Sequence, residues 1–551
     1  MRWLVAGLLA VAGPASADTV LGNGMIYDGL GGAPYRGWLR VAGDRIIAVG
    51  HGDAPAGAVD VHGQAISPGF VNMLSWSNES LIEDGRALSD IKQGVTLEVM
   101  GEGDSMGPLS PALKAYAIKQ QSDIKYPITW TTLGEYLTTL EKRGIAPNVA
   151  SFVGATTVRE HVLGFDDVDP TPAQLDAMRA LVRQAMDEGA MGVGSSLIYA
   201  PASYAETPEL IALATASAKC GGMYISHMRS EGDRLVEAVD ELIEIARKSG
   251  GPAEIYHLKQ AGQANWGKLD TVIARVEAAR AAGIRITADM YNYTAGATGL
   301  DAAMPTWVQA GGYDQWAGRL RDPATRARVI AEMRSGGTDW ESLYLKAGSP
   351  DRVLFLAFKN PALKPLTGKT LAEVAKLRGT SPEDTIVDLV IEDGSRVGTA
   401  YFLMDEANVR RQTGLPWMAF GSDAEASAPA GAFLLSATHP RAYGNFARLL
   451  GKYVRDEKAA TLPDAIRRLT SFPAANLGIK DRGSLKAGNF ADIVVFDPAT
   501  IADHATFAKP MQFATGVSQV FVNGVQVLKD GEPTGAAAGR FVKGPGAGRC
   551  G

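Results

Sequence analysis

"GMYISHMRSEGDRLVEAVDELIEIARKSGGPAEIYHLKQAG", residues 222–262, spans one strand–helix–strand unit. A short apolar run ends in His227, a stretch with apolar residues at helical spacing follows and stops at Gly, and a second short run ends in His257. Two apolar runs separated by an amphipathic helix read as parallel strands with a crossover. Thirty residues separate the two histidines, about one such unit. In a barrel this places both imidazoles at the same end of neighbouring strands.

The pattern recurs on either side. Strand candidates are FVNML (70–74), TLEVMG (96–101), NVASFVG (148–154), AMGVGSS (190–196), GMYISH (222–227), AEIYH (253–257), IRITADM (284–290) and WMAFGSD (417–423). Eight of them indicate an α/β chain with a (β/α)8 TIM-like barrel, whose chemistry gathers at the C-terminal strand ends. No Gly-rich phosphate-binding turn follows an early strand, which counts against a doubly wound open sheet. The barrel domain is expected over 67–475, with an insertion at about 296–416, before strand 8, that partly covers the site. Both chain ends, 18–66 and 476–545, show alternation broken by Asn-Gly and Asp-Gly turn signals. They are expected to pair into one small β domain, leaving 546–551 as a flexible tail.

The 551 residues carry a formal charge of −6, with 46% hydrophobic and 21% charged residues. No basic run is present, so nucleic acid is not an expected partner. Residues 1–17 read as a signal peptide cleaved after Ala17, which implies a periplasmic or secreted protein with no membrane contact after cleavage. Cys220 falls in a probable helix and Cys550 in a Gly-rich tail, so no disulfide is expected between them.

The strand-end residues suggest chemistry. Glu102 follows the second strand, with Glu98 and Asp104 as possible substitutes; His227 and His257 close the fifth and sixth, and Asp423 the eighth. A lone strand-end histidine is commonly structural. Two on consecutive units, with a carboxylate, suit Zn²⁺ and leave a fourth position for water. Asp423 has no obvious neutralising neighbour in sequence and suits proton transfer. The first strand is different. SPGFVNMLSWSNES (67–80) reads like the entrance to a metal site, yet it delivers Leu74 and Trp76.

The stretches GSSLIYAPASYAETPELIALA, YISHMRSEGD, HLKQAG, YNYTAGATGL, GSDA, HPRAYGNFARLLGKYVR and DRGSLKAGNFADIVVFDP together resemble the D-aminoacylase (N-acyl-D-amino-acid deacylase) branch of the amidohydrolase superfamily, over about residues 19–543. The resemblance implies a metal-bearing β/α barrel with a small β-sandwich made from both chain ends. Its pattern has His-x-His where this chain has Leu74-Ser75-Trp76, and a Cys where, after a one-residue deletion, Glu102 stands. The ligand histidines fall on His227 and His257, and the aspartate on Asp423. In the family His-x-His serves a weaker, more dispensable metal position, so its loss implies one ion held by Glu102, His227 and His257. Oxygen in place of sulfur would relax selectivity from Zn²⁺ toward Mn²⁺ or Fe²⁺. Leu74 and Trp76 are expected to line a drier pocket.

Tyr199, Lys259 and Tyr291 match family positions near a substrate carboxylate. Arg229 is a further candidate there, unless it pairs with Glu231 or Asp233. His439 matches HPRAYG and is expected at most to order a loop. The leading expectation is an amidohydrolase that cleaves the C–N amide bond of an N-acyl amino acid or small peptide, with metal-activated water and Asp423 as proton shuttle. The alternatives are the same machinery acting on a cyclic amide, lactone or dipeptide, and an inactive binding protein that lost its metal.

Overall fold

Every apolar run becomes a strand. The computed structural model describes residues 18–337 and 340–550, so the signal peptide expected at 1–17 lies outside the described residues. The strands are β1 (Phe70–Asn72), β2 (Val95–Met100), β3 (Asn148–Ser151, resuming at Val153–Gly154), β4 (Gly192–Ser196), β5 (Met223–His227), β6 (Ala253–Ile255), β7 (Ile286–Met290) and β8 (Met418–Phe420). They pair in parallel and in chain order. The ring closes where the Met73 amide donates to the Phe420 carbonyl at 3.1 Å and the Asp423 amide to the Leu74 carbonyl at 2.8 Å. All residues of β2 to β7 are buried, as strands covered on both faces must be.

Local chemistry fixes the crossovers. Leu235–Ser249 buries Leu235, Ala238, Val239, Leu242, Ile245 and Ala246, a single helical stripe, and stops at Gly250 with φ +74°. Pro172–Glu188 begins with a capping box between Thr171 and Gln174 and ends at Gly189 with φ +119°.

The insertion has a core of its own, including Met304, Val329, Met333, Phe355, Ile386 and Tyr401. Its strands Ala295–Gly299 and Val353–Ala357 both pair antiparallel with Gly398–Phe402. The chain ends join in one nine-stranded sheet, where Ala65–Pro68 pairs antiparallel with Ile493–Phe496. The turns Asn523-Gly524 and Asp530-Gly531 hold all four residues at positive φ, as tight hairpins require.

Two expectations fail at the C-terminus. Cys220 and Cys550 form a disulfide, and within 546–550 the Gly548 and Cys550 amides donate to the Asp187 carbonyl and Oδ1 at 2.9 and 3.0 Å, so this end and the segment leading to it form a strap. Its Gly539, Val542 and Gly544 amides donate to the carbonyls of Ile145, Val149 and Gly189 at 2.7, 2.9 and 2.9 Å, beneath the entries of β3 and β4. Glycines in this segment permit close contact. A Cβ on Gly539 would stand 1.8 Å from the Pro147 carbonyl oxygen, and one on Gly544 2.2 Å from that of Ala190. Cys220 lies just beyond the helix Thr207–Ala218, free to meet the strap.

Because this crosslink ties the strap across a sequence separation of 330 residues, replacing both cysteines by serine should cost about 2–5 kcal/mol of stability. Reductant should lower the parent's unfolding midpoint and leave that of the Cys220→Ser/Cys550→Ser variant unchanged.

Candidate metal centre and active site

The strand ends that carry the site are conformationally unusual. Glu102 sits between Gly101 and Gly103, with φ of +100° and +71°. A Cβ on Gly101 would come within 2.3 Å of the Phe152 carbonyl oxygen, so the turn that presents Glu102 requires glycine there. His257 and Asp423 also have positive φ, +34° and +50°, a strain of about 1–3 kcal/mol each that packed surroundings must hold. The His257 amide donates to Asp289 Oδ1 at 2.8 Å.

Glu102, His227 and His257 come together, all buried, with one candidate ligand atom from each lying within 4.8 Å of the others. Glu102 Oε1 is 2.8 Å from His257 Nε2 and 3.1 Å from His227 Nδ1. Burial opposes ionisation of Glu102, but the two imidazoles overrule it and hold the carboxyl well below its usual range. Burial and Lys259 would lower the pKa of His257; Glu102 and Glu231 prevail and raise it to about 10. The two alternatives to Glu102 stand elsewhere. Glu98 is buried against Asn72 and Asp90, and Asp104 lines the cavity wall, lifted by burial to about 6.

Sequence reasoning missed the role of Glu231. Its Oε1 lies 3.0 Å from His257 Nδ1, and its Oε2 lies 3.7 Å from His227 Nε2. Lys259 Nζ reaches Glu231 Oε1 at 2.5 Å and His257 Nδ1 at 2.7 Å. Glu231 thus pairs with the far nitrogen of His257 and stands near that of His227 without a hydrogen bond, while Glu102 meets the near nitrogen of both rings. That is the outer arrangement that orients ligating imidazoles and sets their tautomers. The available signal was its spacing four residues after His227, which lets one turn bring it back to the strand end.

Asp423 does have a neutralising neighbour, 18 residues downstream: Arg441 Nη1 stands 2.8 Å from its Oδ2, and both side chains are buried. Burial pushes the Asp423 carboxyl up, and Arg441 opposes this. The expectation for the first strand also needs correction. Leu74 is fully buried in the barrel interior beside Gly421 and does not line the cavity. Trp76 does line it, but not as a dry wall. Its indole N–H donates to Glu102 Oε2 at 2.9 Å and to Asp423 Oδ1 at 3.1 Å.

Above these groups lies a cavity of about 330 Å³. Tyr199, Lys259 and Tyr291 all line it, whereas Arg229 does not. Arg229 turns away to pair with Glu241 at 3.0 Å and to donate to the Ser203 and Ala205 carbonyls, because the helix after β5 offers it a carboxylate. Two unforeseen arginines line the cavity instead, Arg441 and, from the insertion, Arg396. The Arg441 guanidinium lies 4.4 Å from the Tyr291 ring centre and that of Arg396 4.9 Å from Tyr199. His439 orders the chain around Arg441: its Nδ1 accepts from the Arg441 amide at 3.0 Å, while its Nε2 faces the Ala295 carbonyl at 3.0 Å.

The amidohydrolase family model matches residues 57–528. The chain belongs to the amidohydrolase family. D-aminoacylase of Alcaligenes xylosoxydans xylosoxydans is 34% identical over 95% of this chain and 97% of its own length. A D-aminoacylase structure, described for one-metal activation and second-metal attenuation of its binuclear centre, superposes with a TM-score of 0.78 at 31% identity, covering 95% of this chain and 99% of that one. N-acyl-D-glutamate deacylase of Bordetella bronchiseptica, solved with zinc and a phosphonate mimic of the tetrahedral intermediate, superposes with a TM-score of 0.78 at 28% identity, covering 96% and 99%. These matches place this amidohydrolase in the D-aminoacylase branch and make it a hydrolase of carbon–nitrogen bonds other than peptide bonds.

If Glu231 orients His257, Glu231→Gln should weaken zinc binding about 10–100-fold, read by competition with a chelator. Glu102→Ala should leave the protein folded and largely free of metal, as measured by elemental analysis.

Proposed function

We propose that this amidohydrolase holds one divalent ion, zinc by preference, on Glu102, His227 and His257 and deacylates N-acyl amino acids. The observation that carries the reading is the convergence of Glu102 on the near nitrogens of both imidazoles, with Glu231 at the far nitrogen of His257. Three N/O donors with space in front suit a hydrolytic site better than a closed structural one. Manganese or iron fits an all-N/O donor set as well. The relatives act on N-acyl-D-amino acids by name, which favours the D-configuration for the substrate here.

A bound ion would supply Lewis acidity, polarising the amide carbonyl and making water acidic enough to attack at neutral pH. Asp423 takes a proton from that water on Oδ1, the oxygen not paired with Arg441, and returns it to the amide nitrogen as the C–N bond breaks. The products are a carboxylic acid and a free amino acid. Lys259 and Arg441, with the Tyr291 and Tyr199 hydroxyls, receive the substrate's carboxylate by charge-assisted hydrogen bonds. Arg396 stands on the insertion side of the same cavity. The disulfide suits an oxidising compartment, which supports export to the periplasm or beyond.

Protein purified without added metal should contain one ion per chain and should release free amino acid from a panel of N-acetyl-D-amino acids. Two ions per chain, both needed for turnover, would sink the single-metal reading. Asp423→Asn should retain fold and metal yet lose turnover by about 10²-fold or more. Near-normal turnover in that variant would remove Asp423 from the proton path.

A further inference from the structure

Glu102 and Asp423 reach the site from strands that are not neighbours, after β2 and β8. They point carboxylate oxygens at one atom, Trp76 Nε1, at 2.9 and 3.1 Å. Two buried like charges this close repel unless something with positive character lies between them. The other groups near them are already committed. Arg441 takes the outer oxygen of Asp423, Oδ2, and the imidazoles take the inner oxygen of Glu102, Oε1. What remains between Glu102 Oε2 and Asp423 Oδ1 is a single N–H on a neutral ring. An indole is donor-only, so it supplies this contact without adding a charge or a lone pair for metal.

We propose that Trp76 is a positioning residue: its N–H, shared by Glu102 Oε2 and Asp423 Oδ1, holds the proton-accepting carboxylate at a fixed place beside the ion-binding carboxylate and fills the gap where another cation would otherwise sit. This rests on the single-ion reading above. The adjoining geometry agrees with a fixed role. The Trp76 amide donates to the Ala424 carbonyl at 3.0 Å, and the Asp423 amide to the Leu74 carbonyl at 2.8 Å, so the backbones carrying donor and acceptor are stitched together on both sides of the contact. Positioning of this kind acts on the chemical step more than on substrate capture, because the carboxylate-binding side of the cavity, at Lys259 and Arg441, does not touch the indole by any hydrogen bond described.

The test compares zinc-loaded parent protein with Trp76→Phe, and with a variant in which residue 76 alone is 3-benzothienylalanine, which keeps the bicyclic shape but exchanges N–H for sulfur. Turnover is read on the best N-acetyl-D-amino acid of the panel, and zinc content on the same samples. The expected result is one zinc per chain in all three proteins, a fall in kcat of about tenfold or more in both variants, and KM within about threefold of the parent. Parent-like kcat in the benzothienyl variant overturns the positioning role, since only the N–H has been removed. A rise in KM with kcat unchanged also overturns it, because it would make Trp76 part of the binding wall. If Trp76→Phe folds poorly, the isosteric variant decides alone. A parent without zinc and without turnover overturns the functional reading and this inference together. An active, zinc-loaded parent whose variants keep kcat overturns this inference only.

Discussion

The site depends on one carboxylate being asked to satisfy three rings. Glu102 Oε1 meets His227 and His257, and Oε2 meets Trp76, so β1, β2, β5 and β6 must all end at the same height for the contacts to form. The cost of burying that charge is met by a network. Glu102, Glu231 and Asp423 face Lys259 and Arg441, three carboxylates against two fixed cations, which leaves one negative charge uncompensated. Glu102 and Glu231 favour a proton on His257 and raise its pKa, which would offset part of that charge. A divalent ion would take over that role and displace the proton, as ligation of imidazole demands.

The rest of the molecule keeps this arrangement closed at both ends. On one side the insertion roofs the cavity with Gly296, Thr298, Leu343 and Arg396, and its core continues into Tyr291 of the cavity wall. On the opposite side the strap and its disulfide run beneath β3, β4 and β5. The strap touches none of the reactive groups. Its effect is on the strand entries, and through them on the register that places the strand ends.

The fold was legible because burial on both faces leaves an unmistakable trace: short apolar runs separated by amphipathic helices and closed by glycine. The three candidate ligands and Asp423 were legible because strand ends are fixed points on that frame. What stayed hidden depends on side-chain direction. Arg229 and Arg441 both carry a charge suited to a carboxylate, and only the fold shows that Glu241 captures the first while the second stands over Tyr291. Glu231 reads as one more acidic residue in SEGD until the turn after β5 folds it against two imidazoles. Gly539 and Gly544, ahead of the expected tail, mark close approach to the barrel, which residue identity alone does not distinguish from freedom.

The two departures from the resembled family pattern, Glu for Cys at 102 and Trp for His at 76, are best understood as one coupled change. A thiolate serves an ion and an N–H through one sulfur, a weak hydrogen-bond acceptor, and cannot divide the two tasks between separate atoms. A carboxylate can: one oxygen lies among the imidazoles and the other accepts the N–H. Conversely, a half-buried indole N–H needs an acceptor, and with a sulfur at 102 it would keep Asp423 and only a weak second acceptor. The longer glutamate side chain also needs the room that Gly101 and Gly103 give its backbone. Each residue therefore suits the other, and reverting Glu102 to Cys by itself should leave the Trp76 N–H held chiefly by Asp423 Oδ1.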